Sequence, residues 1–298
     1  ESIRRKIDSA GELRAVVRTM KAMAASSIAQ YERSVAALED YYATIELGLS
    51  ACFRWTGHGL ALHTPEDAVP RDIGAIVFGS DQGLVGRFND VVAEYAVSKL
   101  AAMKGSPKVW TVGERVRERI VDAGIPVIQA FNVPGSVEAI APMVGQLLLE
   151  SEIRQAGGGF ARVHIFYNSP RAAATYKPVD LQLLPLDADW EKQVAEVPWP
   201  TKLPPEVMQA DRGTLRWLLH EYLFITLYRA CAGSLTSENA SRLAAMTRAD
   251  KNIDELLGDL NGSYGRLRQT AIDEELFDVI AGYVEETKRH IHPREAIC

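Results

Sequence analysis

Residues 13–49, LRAVVRTMKAMAASSIAQYERSVAALEDYYATIELGL, place an apolar or small side chain at Leu13, Val17, Met20, Ala24, Ile28, Tyr31, Val35, Leu38, Tyr42, Ile45 and Leu49. Steps of three and four residues keep these positions on one helix face, because an α-helix turns once in about 3.6 residues. The rhythm returns downstream at Leu243, Met246, Ile253, Leu257, Leu260, Tyr264, Leu267 and Ala271, with Asp250 as its one polar interruption. A helix with a single apolar stripe needs a partner along its length. The sequence therefore predicts that an N-terminal helix (1–55) and a C-terminal helix (205–290) pair as a long antiparallel coiled coil. Over 28–49 and 243–271 the spacing averages about 3.5, the period of a left-handed supercoil. Small residues at Ala22, Ala24, Ala25, Ser26 and Ser27, and at Ala240, Ala244 and Ala245, are assigned to each other as the point of closest approach.

Between the stripes the pattern changes to α/β. Short apolar runs at Ile73–Phe78, Lys108–Val112, Ile125–Ala130, Ala161–Tyr167 and Val179–Leu186 read as strands. Helical patterns fall at 87–103, 114–123 and 136–155, and strands alternating with helices imply right-handed units on a mostly parallel sheet. The last two strands are also compatible with an antiparallel hairpin turning at Asn168-Ser169-Pro170. Gly57, Gly59, Pro65 and Pro70 mark one linker; Pro198, Pro200, Pro204 and Pro205 mark another. The expected fold class is thus α/β plus a long coiled coil, with a Rossmann-like domain (70–190) inserted between paired terminal helices. Leu215–Tyr228 is apolar around most of its circumference, so the inserted domain and the first helix are both expected to pack on it.

Composition narrows the function classes. The chain has 298 residues, 47% hydrophobic and 24% charged, as in soluble globular proteins, and its net charge of −6 argues against non-specific nucleic-acid binding. The start is nevertheless basic, with Arg4, Arg5, Lys6, Arg14, Arg18 and Lys21, which suits either an acidic protein partner or a solvated helix face. Cys52, Cys231 and Cys298 are widely spaced and odd in number, so neither a disulfide framework nor a cysteine zinc site is expected. No signal peptide is expected at the charged start, and the most apolar stretch, 217–228, is too short to span a bilayer and contains His220 and Glu221.

One segment invites a catalytic reading. Gly79–Gly86 sits between a predicted strand and a predicted helix, where nucleotide folds hold phosphate on backbone N–H groups. It matches neither G-x-G-x-x-G nor G-x-x-x-x-G-K-[ST], and Asp81 would repel a phosphate. The expectation is a tight structural turn using glycine at positive φ. His290 and His292 have no carboxylate beside them to complete a metal site, and no serine lies in a nucleophile-elbow pattern. No catalytic residue, cofactor or metal is expected.

Three segments together resemble one family. Ile3-Arg4-Arg5-Lys6-Ile7, Ser9, Met20-Lys21 and Ala24-Ala25-Ser26 are similar to the N-terminal helix of the ATP synthase gamma subunits. Ser80-Asp81-Gln82-Gly83-Leu84-Val85-Gly86-Arg87-Phe88-Asn89 resembles that family's Ser-Asp-x-Gly-Leu-x-Gly loop. Ser237-Glu238, Ser241-Arg242, Ala245-Met246, Asn252, Leu256, Tyr264, Arg268-Gln269 and Ile272 resemble its C-terminal helix. Asp273 where the family usually has Thr, Ala22-Met23 for Met-Val, and Arg87 for a second Gly mark a divergent branch, such as the alternative ATPases found beside ordinary ones in some bacteria.

The resemblance implies a non-catalytic rotor, the central stalk of a proton- or sodium-translocating ATP synthase or ATPase. Its partners would be the hexameric head of alpha and beta subunits, the epsilon subunit and the ring of c subunits, on the cytoplasmic face of the bacterial plasma membrane. Met20, Lys21, Arg242, Arg268, Gln269 and Glu275 match the family's contacts with the head. Ser80, Asp81, Gly83 and Gly86 form its structural loop. The competing readings are a nucleotide-binding α/β enzyme with a coiled-coil dimerisation element, and a coiled-coil adapter unrelated to energy conversion.

Overall fold

A computed structural model describes residues 2–56, 72–156, 160–171, 175–186, 188–203 and 212–291. The Gly57–Pro70 linker, Pro204-Pro205, His292 and the side chain of His290 fall outside the described residues. Two helices open the chain, α1 (Ser2–Ala37) and α2 (Glu39–Thr56). A sheet domain follows: β1 (Asp72–Phe78), α3 (Phe88–Ala102), β2 (Pro107–Val112), α4 (Glu114–Asp122), β3 (Val127–Phe131), α5 (Ile140–Ala156), β4 (Phe160–Arg171) and β5 (Thr175–Leu184). Then come α6 (Ala188–Ala195) and the 80-residue α7 (Arg212–Ile291).

The sheet order is β3-β2-β1-β4-β5, with the first four strands parallel and β5 antiparallel to β4. Alternate residues of each strand point to opposite faces, and both faces are covered. Ile73, Ala75, Val77, Val109 and Phe166 pack under α3 and α4. Ile76, Phe78, Trp110, Val163 and Ile165 pack under α5 and against Leu223, Leu227, Tyr228, Cys231 and Leu235 of α7, with Tyr31 of α1 in the same cluster. Leu215, Leu218 and Ile225 of α7 meet Ile45, Leu49 and Phe53 of α2. The segment predicted to be greasy all round is thus covered by the sheet domain and the N-terminal helices together.

Three local expectations change. The single N-terminal helix is broken at Leu38, whose N–H turns back to the Val35 carbonyl at 3.0 Å. Glu39 and Asp40 open α2 and favour its positive N-terminal end. The hairpin does not turn at Asn168-Ser169-Pro170; β4 runs through them, with Pro170 opposite Tyr176. β1 accompanies β4 only as far as Phe166. Beyond that point β4 pairs with β5 alone among the described residues, and proline is tolerated in a strand with an unpaired edge. Helix α6 was not foreseen. Its Trp190 packs on Phe53 (centroids 5.9 Å) and Tyr222 (4.8 Å). Arg54 and Ser50 of α2 donate to the Ala195 and Val197 carbonyls that end α6, satisfying acceptors a helix end leaves open.

The chain divides into two compact units, one taking in residues up to Met20 and from Met246 onward, the other Lys21–Ala245. Within the first, Val17, Met246 and Ile253 of the stripes are buried. Arg14 pairs with Asp254 at 2.5 Å, and Arg18 donates Nε–H to Asp250 at 3.3 Å. Asp250, the polar interruption of the downstream stripe, is therefore an ion-pair partner of α1. The acid facing Arg14 and Arg18 comes from this same chain. Leu257 and Leu260 are half-buried.

Candidate functional site

In parallel α/β sheets a ligand sits at the carboxyl ends of the strands, where successive crossovers leave to opposite faces. Here that point lies between β1 and β4, and residues 79–87 run out of β1 directly above it. The loop is tied down by its own residues. The Ser80 N–H donates to Asn89 Oδ1 at 2.9 Å, Asn89 Nδ2 donates to Ser80 Oγ at 2.8 Å, and Ser80 Oγ–H donates to the Gln82 carbonyl at 2.8 Å. Asp81 accepts two backbone N–H groups, Glu114 on Oδ1 at 3.0 Å and Val133 on Oδ2 at 2.8 Å. Glu114 is the first residue of α4, so Asp81 supplies the negative charge that a helix start attracts.

Glycine is required where the ends of β1 and β2 cross. A Cβ at Gly113, whose φ is +112°, would lie 2.7 Å from the Ser80 nitrogen. A Cβ at Gly79 would lie 2.4 Å from Val116 Cβ. Within the loop the left-handed residues are Gly86 (φ 59°) and, against the expectation for glycine alone, Leu84 (φ 63°). Gly83 has open space around it and an ordinary φ.

Helix α7 covers the place a nucleotide would take. Ser241 Oγ donates to the Val85 carbonyl at 2.5 Å. Gly233 passes β4 so closely that a Cβ there would touch Pro170 and Tyr167 at 3.5 Å. Asn168 donates Nδ2–H to the Phe88 carbonyl at 2.9 Å, and Tyr176 stacks edge-on to Phe88. The crevice is filled by protein.

Beneath the loop lies a buried ion pair. Arg242 donates to Glu238 Oε1 at 2.7 Å and to Asn239 Oδ1 at 3.3 Å. Glu238 is 5% exposed. Burial pushes its carboxyl up to about 6; Arg242 opposes that shift and Asp81 adds to it. Tyr31 and Cys231, both near Glu238, are raised chiefly by their own burial. Among the described residues there is no cluster of three or more His, Cys, Asp or Glu able to hold a metal, and no helix long and apolar enough to cross a membrane.

The residues singled out in the sequence fall into separate places. Ser80, Asp81 and Gly86 gather in the loop. Lys21 is half-buried on α1, and Arg242 is held by Glu238 rather than directed into solvent. In the other unit, Met20 is half-buried, while Arg268, Gln269 and Glu275 are exposed on α7. Gln269 donates to Asp273 at 3.2 Å, and Arg268 lines a groove with Ser2, Ile3, Tyr264 and Leu267. From Leu267 to Val284 the helix also exposes Ile272, Leu276, Phe277, Val279, Ile280 and Tyr283. Asn89 and Ser241 tie the loop to α3 and α7, and Asn168 holds the Phe88 carbonyl at the start of α3. The Ser80–Asn89 pairing had a sequence signal in the glycine-rich turn, and Glu238 and Ser241 stood among the positions that carry the family resemblance; Asn168 had none.

A nucleotide-type sheet packed against its own long helix, whose residues 267–284 leave apolar side chains exposed, defines a structural subunit of a larger assembly. The family model described as ATP synthase matches residues 1–284, and the chain belongs to the ATP synthase gamma-chain family, the non-catalytic subunits of that complex. It is 26% identical over 285 residues to the ATP synthase gamma chain of Desulforamulus reducens, covering 94% of this chain and 96% of that one. With the gamma chain of Leifsonia xyli subsp. xyli the identity is 27% over 290 residues, covering 94% and 95%. A chain of the Euglena gracilis mitochondrial ATP synthase, from its OSCP/F1/c-ring assembly, has the same fold with a TM-score of 0.62 at 14% identity, covering 99% of this chain and 97% of that one. A chain of the Tetrahymena thermophila central stalk and c-ring gives 0.56 at 18%, covering 78% and 99%.

Proposed function

We propose that this chain is the central-stalk rotor of a rotary ATP synthase or ATPase, coupling rotation of a c-subunit ring to ATP synthesis or hydrolysis in a head of alpha and beta subunits. The observation that carries the reading is the distal part of α7. Phe277 is 71% and Tyr283 72% exposed, and so large an apolar surface on one helix marks a binding site. The family match over residues 1–284 supports a head of alpha and beta subunits as its cover. In this reading α1 and α7 pair as an antiparallel coiled coil, and the small patches around Ala24 and Ala244 face each other. Met20, Lys21, Arg268, Gln269 and Glu275 meet the head, with Arg242 at its base. The sheet domain rests on the c ring beside epsilon, peripheral to the cytoplasmic face of a bacterial plasma membrane. Mechanically, rigid-body rotation of an asymmetric subunit biases the states of its neighbours.

Reconstitution tests this. Alpha, beta and epsilon subunits with this chain should give a stoichiometric complex with ATPase activity, and omission of the chain should abolish assembly. A chain that stays monomeric beside its alpha and beta subunits contradicts the reading.

A further inference from the structure

We propose that His164 is an acid-sensitive latch inside the sheet domain: once its ring takes up a proton, the Asp180 carboxylate is drawn towards it from α3, and the edge strand β5 is released from that helix. The proposal concerns the sheet domain itself and stands independently of the rotor reading.

His164 lies on β4, two residues before Phe166 and therefore on the same face of the sheet. Phe166 belongs to the apolar layer under α3 and α4, and the two rings stack with centroids 6.2 Å apart. The histidine is 7% exposed, and neither ring nitrogen has a hydrogen-bond partner among the described residues. Its cross-strand neighbours do not supply one. On β1 the neighbour is Ala75; on β5 it is Gln182, whose amide N–H donates to the Pro185 carbonyl at 2.7 Å. A buried polar ring without partners costs stability, and a buried charged ring costs more. Packing alone would favour an apolar side chain at this position. What histidine adds is a charge that switches near neutral pH.

Beside the ring runs a strap between α3 and the sheet edge. Asp180 stands opposite Phe166 on β5, on the same face. It accepts the Tyr95 O–H at 2.5 Å and pairs with Lys99 Nζ at 3.4 Å, both from α3. Tyr95 in turn meets Phe166 edge-on at 6.3 Å. The start of β5 is held separately, by Tyr176 against Phe88, so the strap bears on the stretch around Asp180. The charged groups acting on His164 are Asp180 of β5, Arg162 of β4 and Lys99 of α3. Asp180 is the one anion among them, and Tyr95 and Lys99 already share it. Burial holds the ring's pKa below its ordinary 6.5; Asp180 opposes that shift, while Arg162 and Lys99 add to it. The ring is thus neutral while the strap is closed, and titrates at its ordinary value once exposed. Below about 6.5 the open form binds a proton that the closed form lacks, so acid favours opening, by up to about ten-fold per pH unit. The imidazolium that forms takes the carboxylate as its counter-charge, at the expense of Tyr95 and Lys99.

The test is amide hydrogen exchange of the full chain, read by mass spectrometry from about pH 7.5 to about pH 5, a window bracketing an ordinary histidine. Rates are corrected for the intrinsic pH dependence of exchange. Protection of β5 around Asp180 is expected to fall by about three-fold or more as pH drops below about 6.5, while α5 keeps its protection. His164→Phe, which can stack on Phe166 but cannot titrate, should hold β5 protected across the window. Asp180→Asn gives up the charge that Lys99 pairs with, so its β5 should exchange faster than wild type already at neutral pH. Unchanged wild-type protection overturns the proposal, as does a fall shared equally by α5. The same fall in His164→Phe, or wild-type protection in Asp180→Asn at neutral pH, overturns it too. If His164→Phe does not fold, deuterium uptake at the imidazole C2 of the wild-type chain decides. The ring must titrate below about 6.5, in step with the loss of β5 protection; titration at or above that value overturns the latch.

Discussion

Replacing Asp81 by alanine separates a structural loop from a phosphate-binding one. Its carboxylate accepts the Glu114 N–H at 3.0 Å and the part-buried Val133 N–H at 2.8 Å. A hydrogen bond to a charged acceptor contributes about 1.5–3 kcal/mol. The Glu114 bond is exposed and counts at the low end, and loss of the cap at α4 is of the same size. Asp81→Ala should therefore destabilise the sheet domain by about 2–4 kcal/mol. Asp81→Asn keeps one acceptor oxygen and should lose about half of that. Urea unfolding of the free chain, followed by the fluorescence of Trp110 in the sheet, reads the change as a lower midpoint. Isothermal calorimetry with Mg-ATP should show no binding for wild type or either variant. Wild-type stability in Asp81→Ala, together with ATP binding gained or lost by the substitution, would refute the structural assignment and favour a nucleotide-binding enzyme.

Further expectations concern α7 and its ion pairs. Arg268→Ala with Gln269→Ala should leave the free chain within about 0.5 kcal/mol of wild type, since both are exposed, while lowering assembly or ATPase of the reconstituted head; normal values for both would return them to solvated surface. Ile253→Ala, at a buried stripe position, should cost about 2–4 kcal/mol, and Leu257→Ala or Leu260→Ala less, since both are half-buried; equal costs in a melt would contradict the burial argument. Asp250→Asn should lower stability by no more than about 1 kcal/mol, and less at high salt, because its arginine partners are partly exposed. The folded carboxyl of Glu238 sits at about 6 against 4.5 unfolded, so the native state binds the extra proton between these values. That contribution is present below about 4.5 and is lost as pH rises through about 6. Wild type measured against Glu238→Gln should therefore lose about 2 kcal/mol across the window; a difference that does not change with pH would refute the shift.

The terminal helices and the sheet between them were legible because periods of 3.6 and 2 survive in a single sequence. The order of the strands was legible in outline, since βα alternation permits few topologies. What escaped depends on contacts distant in sequence. Leu38 belongs to the apolar stripe, and nothing local shows that the helix breaks there. Helix α6 is only eight residues long, too short to show a period, and its position is set by Phe53 and Tyr222, far away in the chain. Asp250 looked like a flaw in the stripe until Arg14 and Arg18 supplied its partners. Arg242 was legible as a family position, and its pairing with Glu238, four residues back on the same helix, follows from helix periodicity; that the pair is largely shielded from solvent required the fold. The bonds of Asp81 to the Glu114 and Val133 N–H groups required the sheet to be seen.

Rotation itself is the most direct measurement. With the alpha and beta head fixed to a surface and a bead attached to a cysteine introduced in the sheet domain of this chain, ATP should drive unidirectional turning of the bead, pausing at three angles per revolution to match three catalytic beta subunits. A head that hydrolyses ATP while the bead stays still or fluctuates without direction, with the chain shown to be bound, would contradict the account.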